Sequence, residues 1–146
     1  MKLMANNLAE VIAKAKEVAQ KILENEVAEA IIKLEQDHIQ KDVYNAYTPK
    51  IYPRTGDLKK KENFKIERTL NGISVKNVTV HNGVNGEVKD IVDTVEYGRN
   101  YDFTGYAYSY EEPRPFVQNT KDELVASQLH VKVLREEMKK KGFNVR

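Results

Sequence analysis

Residues 7–47, NLAEVIAKAKEVAQKILENEVAEAIIKLEQDHIQKDVYNAY, contain neither glycine nor proline. Apolar residues return at Leu8, Val11, Ile12, Ala15, Val18, Ala19, Ile22 and Leu23, and again at Val27, Ala30, Ile31 and Leu34. Spacings of three and four place them on one face of a helix, with Lys14, Lys16, Glu17 and Lys21 mostly on the other. Asn7 followed by Glu10 has the form of a capping box. An unbroken helix of this length would be a rod of roughly 60 Å, longer than a single domain of 146 residues needs. Either it folds back near Asn25 as a helix pair, or it stays whole and its far end packs on another subunit. Asn25 is the only turn residue on offer, so the second reading is preferred.

Outward from this arm the pattern changes. Pro49 and Pro53 stop the helix and hold Thr48 and Tyr52 extended. Thr55-Gly56-Asp57 forms a turn, with Asp57 placed to answer Arg54. From Phe64 the period falls to two: Phe64 and Ile66, then Ile73 and Val75, with Asn71-Gly72 between them as a hairpin signal. Val78 and Val80 would extend the second strand across a bulge at Lys76-Asn77. Further turns follow at His81-Asn82-Gly83 and Asn85-Gly86. Glu87 to Val95 fits a short helix as well as a strand and is read as a strand or extended segment. A second amphipathic stretch, capped at Asn119 or Thr120, carries Asp122 and Glu123 early and Lys139, Lys140 and Lys141 late, as the helix dipole favours, and Gly142 closes it.

The expected fold is α+β and a single structural domain over residues 1–146. It has a helical arm or helix pair over 1–47 and a small, mainly antiparallel sheet of about four strands within 48–118. A C-terminal helix over 119–142 packs on that sheet. The sheet region carries a tyrosine-rich loop or hairpin over 99–112. Val95 to Phe116, VEYGRNYDFTGYAYSYEEPRPF, holds five of the eight tyrosines. Tyrosine combines a large apolar ring with a hydroxyl, which suits a surface that becomes buried against another protein and also suits a half-buried hairpin.

Composition narrows the function. The absence of cysteine removes disulfides, thiol nucleophiles and zinc–thiolate sites. With 24 basic and 22 acidic side chains the formal charge is only +2, so global charge does not favour nucleic acid. Lys59-Lys60-Lys61 and Lys139 to Lys141, beside aromatics, keep open a small nucleic-acid-binding module that combines stacking with phosphate contact. Against it, Asp102, Glu111 and Glu112 lie in the tyrosine stretch. His38, His81 and His130 are scattered, and no phosphate loop or metal motif is present, so neither an enzyme nor a cofactor is expected. His38 reads as a solvated or capping histidine. No apolar run reaches the roughly 20 residues of a membrane span, and the first residues lack a secretion signal, so a cytoplasmic protein without a membrane partner is expected.

Tyr52-Pro53-Arg54-Thr55-Gly56-Asp57-Leu58, then strands, Val95-Glu96-Tyr97-Gly98, Arg114-Pro115-Phe116 and a last helix, in that order after a long first helix, resemble the head-tail joining or tail-completion proteins of long-tailed phages and prophages. The resemblance spans nearly the whole chain. It implies structural motif roles for Arg54, Thr55, Gly56 and Leu58 at the start of the sheet. Glu96, Tyr97 and Gly98 would end a strand, and Pro115 and Phe116 would precede the last helix. It also implies a non-enzymatic virion protein, assembled in the host cytoplasm. Such a protein forms a ring with itself at the neck between capsid connector and tail, contacts the neighbouring connector and tail proteins, and meets passing DNA only weakly. Where the family has a short link, this chain has Arg99 to Glu112. Tyr101, Phe103, Tyr106, Tyr108 and Tyr110 would then be subunit anchors, Arg99, Glu111, Glu112 and Arg114 a charged rim, and Gly98 and Gly105 hinges.

Overall fold

Helix α1 spans Lys2–Ile22 and passes without a turn into α2, Ala28–His38. Between them Leu23–Val27 is π-helical, as is Ile39–Tyr44 after α2. The junction residues Ile22, Val27, His38 and Ile39 all keep right-handed helical dihedrals, so the rod is continuous. Asn25 makes no turn, because its amide donates back to the Lys21 carbonyl at 2.7 Å. The computed structural model describes residues 2–47, 55–83, 85–99, 101 and 111–145, with backbone only for 2–6.

Two antiparallel ribbons follow. β1 (Phe64–Thr69) pairs with β2 (Gly72–Asn77) from Phe64↔Asn77 to Thr69↔Gly72, so the turn residues are Leu70 and Asn71, one position earlier than the Asn71-Gly72 signal suggests. β3 (Val80–Asn82) pairs with β4 (Val88–Asp90). Among the described residues the four strands thus form two sheets of two. β2 does not run on through Val80, because the buried Asn77 ends it. Its amide donates to the Leu58 carbonyl at 2.8 Å, and its Oδ1 accepts from the Thr79 N–H at 3.1 Å, which takes that group out of the ladder.

The reading of Glu87 to Val95 as extended holds only to Asp90. Helix α3, Ile91–Tyr97, begins there, because the Asp90 side chain accepts from the Asp93 N–H at 3.1 Å. It stops at Gly98, which is left-handed at φ 65°. Glu96-Tyr97-Gly98 therefore ends a helix and not a strand.

The C-terminal stretch is two helices, α4 (Phe116–Ser127) and α5 (Leu129–Lys140), parted at Gln128 with φ 54°. α4 starts ahead of the expected Asn119 or Thr120 cap. Its principal contacts are with α2, and those of α5 are with α1, α2 and the intervening π segment. The two-stranded ribbons are too small to cover either helix, so both close mainly on the rod and not on a sheet.

Burial falls into two clusters along the rod. Ile32, Ile39 and Val43 meet Leu58, Phe64, Val95 and Phe116, which joins the rod to the first ribbon, α3 and α4. Nearer the N terminus, Ile22 and Val27 meet Met138, with Ala15, Val18, Val133, Leu134, Phe143 and Val145 around them. Among the described residues, no helix is long and apolar enough to cross a membrane.

Candidate functional site

The two ends of the tyrosine-rich stretch are brought together. Gly98 faces the returning chain so closely that a Cβ there would lie 2.5 Å from the Glu111 carbonyl oxygen and 2.6 Å from the Pro113 nitrogen. The Arg114 N–H donates to the Val95 carbonyl at 3.0 Å. The Glu96 carboxylate, buried at the end of α3, accepts from the N–H groups of Val117 at 2.8 Å and Gln118 at 3.0 Å. These are orphan donors of the first turn of α4, and a carboxylate there also meets the positive end of the helix dipole. Phe116, fully buried, drives the same turn into the core. Gly98 thus holds a closed backbone crossing, where a hinge was expected.

Side chains at this base are engaged within the chain. Arg99 forms a bidentate pair with Asp93 at 3.0 and 3.2 Å and lies over the Tyr97 ring, 4.6 Å from its centre. The Asp93 carboxylate holds the Arg99 guanidinium above its usual range. Arg114 is buried and donates to the Tyr101 hydroxyl at 2.7 Å. Of the expected rim, Glu111 and Glu112 are exposed. Phe103, Tyr106, Tyr108, Tyr110, Gly105 and Arg54 lie outside the described residues. Of the other motif positions, Leu58 is in the core, Gly56 is left-handed at φ 79°, and Thr55 Oγ1 accepts from the Asp57 N–H at 3.3 Å.

Beneath this base lies a polar cluster that sequence spacing did not reveal. His38 is not solvated. It is buried on α2, with Nδ1 2.6 Å from Asp42 Oδ2 and Nε2 bonded to Glu123 of α4. The Asn119 amide also donates to Asp42, at 3.1 Å. Burial pulls the His38 pKa down, but hydrogen bonds to the Asp42 and Glu123 carboxylates outweigh it and hold it above the usual value. Glu35, one turn earlier and buried, is pushed up to about 7 by desolvation, with Glu96 adding repulsion and a hydrogen bond from Asn77 opposing. A histidine with both nitrogens on carboxylates from two helices is an ionic clasp between α2 and α4. No group of His, Cys, Asp or Glu among the described residues could hold a metal ion.

The first lysine run is tied into the chain, as is the middle lysine of the second. Lys59 donates to Gln40 at 3.1 Å, Lys60 pairs with Asp57, Lys61 with Glu29 at 2.7 Å, and Lys140 with Glu137 at 2.9 Å. The exposed histidine of β3, His81, and the partly buried His130 lie apart from the His38 cluster.

The sequence profile of the YomN family matches residues 7–140. The SPbeta prophage-derived uncharacterized protein YomN of Bacillus subtilis (strain 168) is 36% identical over 118 residues, which is 80% of this chain and 79% of that protein. No solved structure matches. The profile covers nearly all of the rod, both ribbons, the Gly98 crossing and the last helix, so the chain belongs to the YomN family, which is prophage-derived.

Proposed function

We propose that this chain is a non-enzymatic structural protein of the phage neck that forms a ring joining the capsid connector to the tail. The observation that carries the reading is the closure of Glu96-Tyr97-Gly98 on Arg114-Pro115-Phe116. It makes a closed base from which the tyrosine-rich segment issues. A closed base and an aromatic segment are the parts an assembly contact needs, since anchors lose less entropy when the scaffold is already ordered. Prophage descent supports the same reading. In it Tyr101, Phe103, Tyr106, Tyr108 and Tyr110 contact neighbours, and Arg99 and Arg114 steady the base. Its place is the virion neck, after assembly in the host cytoplasm, with no cofactor and no membrane.

The test is complementation. A phage whose own copy is deleted is supplied with Tyr106→Ala/Tyr108→Ala protein. The expected result is a folded chain, free capsids and free tails, with joined particles reduced at least tenfold. Joined particles at the normal yield would overturn the proposal.

A further inference from the structure

Helices α4 and α5 are held on the rod by different kinds of contact. Val133, Leu134 and Met138 of α5 pack on Ile22 and Val27. Among the described residues, the apolar clusters take only Phe116 and Val117 from α4, both in its first turn. Beyond that turn α4 meets the rod through polar groups: Asn119 donates to Asp42 at 3.1 Å, and Glu123 bonds His38 Nε2. Thr120 is buried, but its hydroxyl donates back to the Phe116 carbonyl within the same helix. Gln128, left-handed at φ 54°, parts the two helices, so α4 can open while α5 stays packed.

The contacts of α4 carry a protonation requirement that follows from their geometry. His38 places Nδ1 2.6 Å from Asp42 and Nε2 on Glu123. A neutral imidazole has one N–H and one lone pair, so only the imidazolium donates to both carboxylates. Once neutral, the ring leaves one carboxylate facing a lone pair. Glu35, one turn earlier, also needs its proton. Its buried Oε1 has no hydrogen-bond partner among the described residues. The charged groups that face it are Glu96 of α3, Lys121 of α4 and His38 of its own helix, with Asn77 of β2 opposite. Ionised, Glu35 sets a second buried carboxylate charge near Glu96, and a neutral His38 leaves Lys121 alone among these groups to answer the two.

We propose that residues 117–127 form a proton-held latch, docked on the rod while His38 and Glu35 both carry their protons and opened as a local unit when they lose them. Glu35 is pushed up to about 7 and His38 is held above its usual value, so the latch loosens as pH climbs through about 7 and beyond. A segment with few apolar contacts opens at lower free energy than the whole fold. The Val117 and Gln118 N–H groups that Glu96 holds lie in this segment, so its opening also loosens the closed base of the tyrosine-rich stretch. The latch stands on this interface and not on the neck reading, so the chain alone tests it.

The test is amide hydrogen exchange of the full chain at pH 6 and pH 8.5, corrected for intrinsic exchange rates and read segment by segment. The expected result is protection of residues 117–127 that falls at least tenfold from the lower pH to the higher, against less than threefold for α5 and for the β1–β2 hairpin. Two variants tie the fall to the cluster. Glu35→Gln stays neutral at both pH values, and Glu123→Gln offers an amide that can donate to the neutral ring. Each should cut the fall at least threefold. Glu123 is half-exposed, so its variant keeps the test open should Glu35→Gln fail to fold. No fall at residues 117–127, or an equal fall in all three segments, would overturn the latch. So would a fall that either folded variant leaves unchanged.

Discussion

Glu96 caps the helix that begins beside Val117: its carboxylate, at the end of α3, accepts the Val117 N–H at 2.8 Å across the whole tyrosine-rich stretch. One side chain thereby joins the stretch's two ends and satisfies donors that the sequence around Pro115 leaves without a local cap. Replacing it with alanine should cost about 2 kcal/mol, the range for removing a charged acceptor from buried donors. Glu96→Gln, which keeps one acceptor oxygen, should cost less. Urea unfolding midpoints of the two variants measure both effects. Equal stability of Glu96→Ala and the wild type would show that the cap contributes nothing.

Gly98 and Gly56 both have positive φ, yet they should respond differently to alanine. At Gly56 an added Cβ meets nothing within 4 Å, so only backbone strain remains, about 1 kcal/mol. At Gly98 the same strain is joined by overlap with the Glu111 carbonyl and the Pro113 nitrogen. Since backbone must move to relieve it, Gly98→Ala should lose at least about 2 kcal/mol, in the range of local backbone strain. Thermal unfolding of the two variants compares them directly. An equal loss at both positions would contradict the close crossing.

Glu35 and the His38 clasp together should make stability fall as pH rises. Glu35 titrates from 4.5 when unfolded and near 7 when folded, so between those values the folded chain holds the extra proton and each step upward in pH removes stability. The loss from this group is at most roughly 3–4 kcal/mol, at 1.36 kcal/mol per pKa unit. His38 acts in the same direction. Its folded pKa lies above 6.5, so its contribution is complete below 6.5 and is lost as pH climbs through the folded value. Glu35→Gln should flatten the slope between pH 4.5 and 7, and His38→Gln the slope above 6.5. Denaturation midpoints across this range measure both. A wild-type profile that rises with pH throughout would refute the assignment.

Much of the fold was legible locally. Phe64, Ile66, Ile73 and Val75 alternate as a hairpin must, and Leu8 to Leu34 recur as a helix must, because side-chain direction follows backbone period. The misreadings have local causes too. Asn77 looks like a bulge residue until its side chain is seen to take the Thr79 N–H. Asp90 is an N-cap hidden in a segment whose valines suit either state. The start of α4 carries no legible signal nearby, since its cap is Glu96, more than twenty positions upstream.

The sequence by itself determined the α+β class, the glycine-free and proline-free rod, the first hairpin and the concentration of tyrosine between two short motifs. These follow from period and composition, which act over a few residues. Only the tertiary structure decided that the rod continues through Asn25, that α4 and α5 close mainly on it, and that His38 is clasped between two carboxylates. The same is true of the closure of Gly98 on Glu111 and Pro113. Those outcomes depend on which groups meet across long separations, and burial, not local propensity, selects them. At the segment that seemed most individual to this chain, the tyrosines were visible from the start. The closed base beneath them was not.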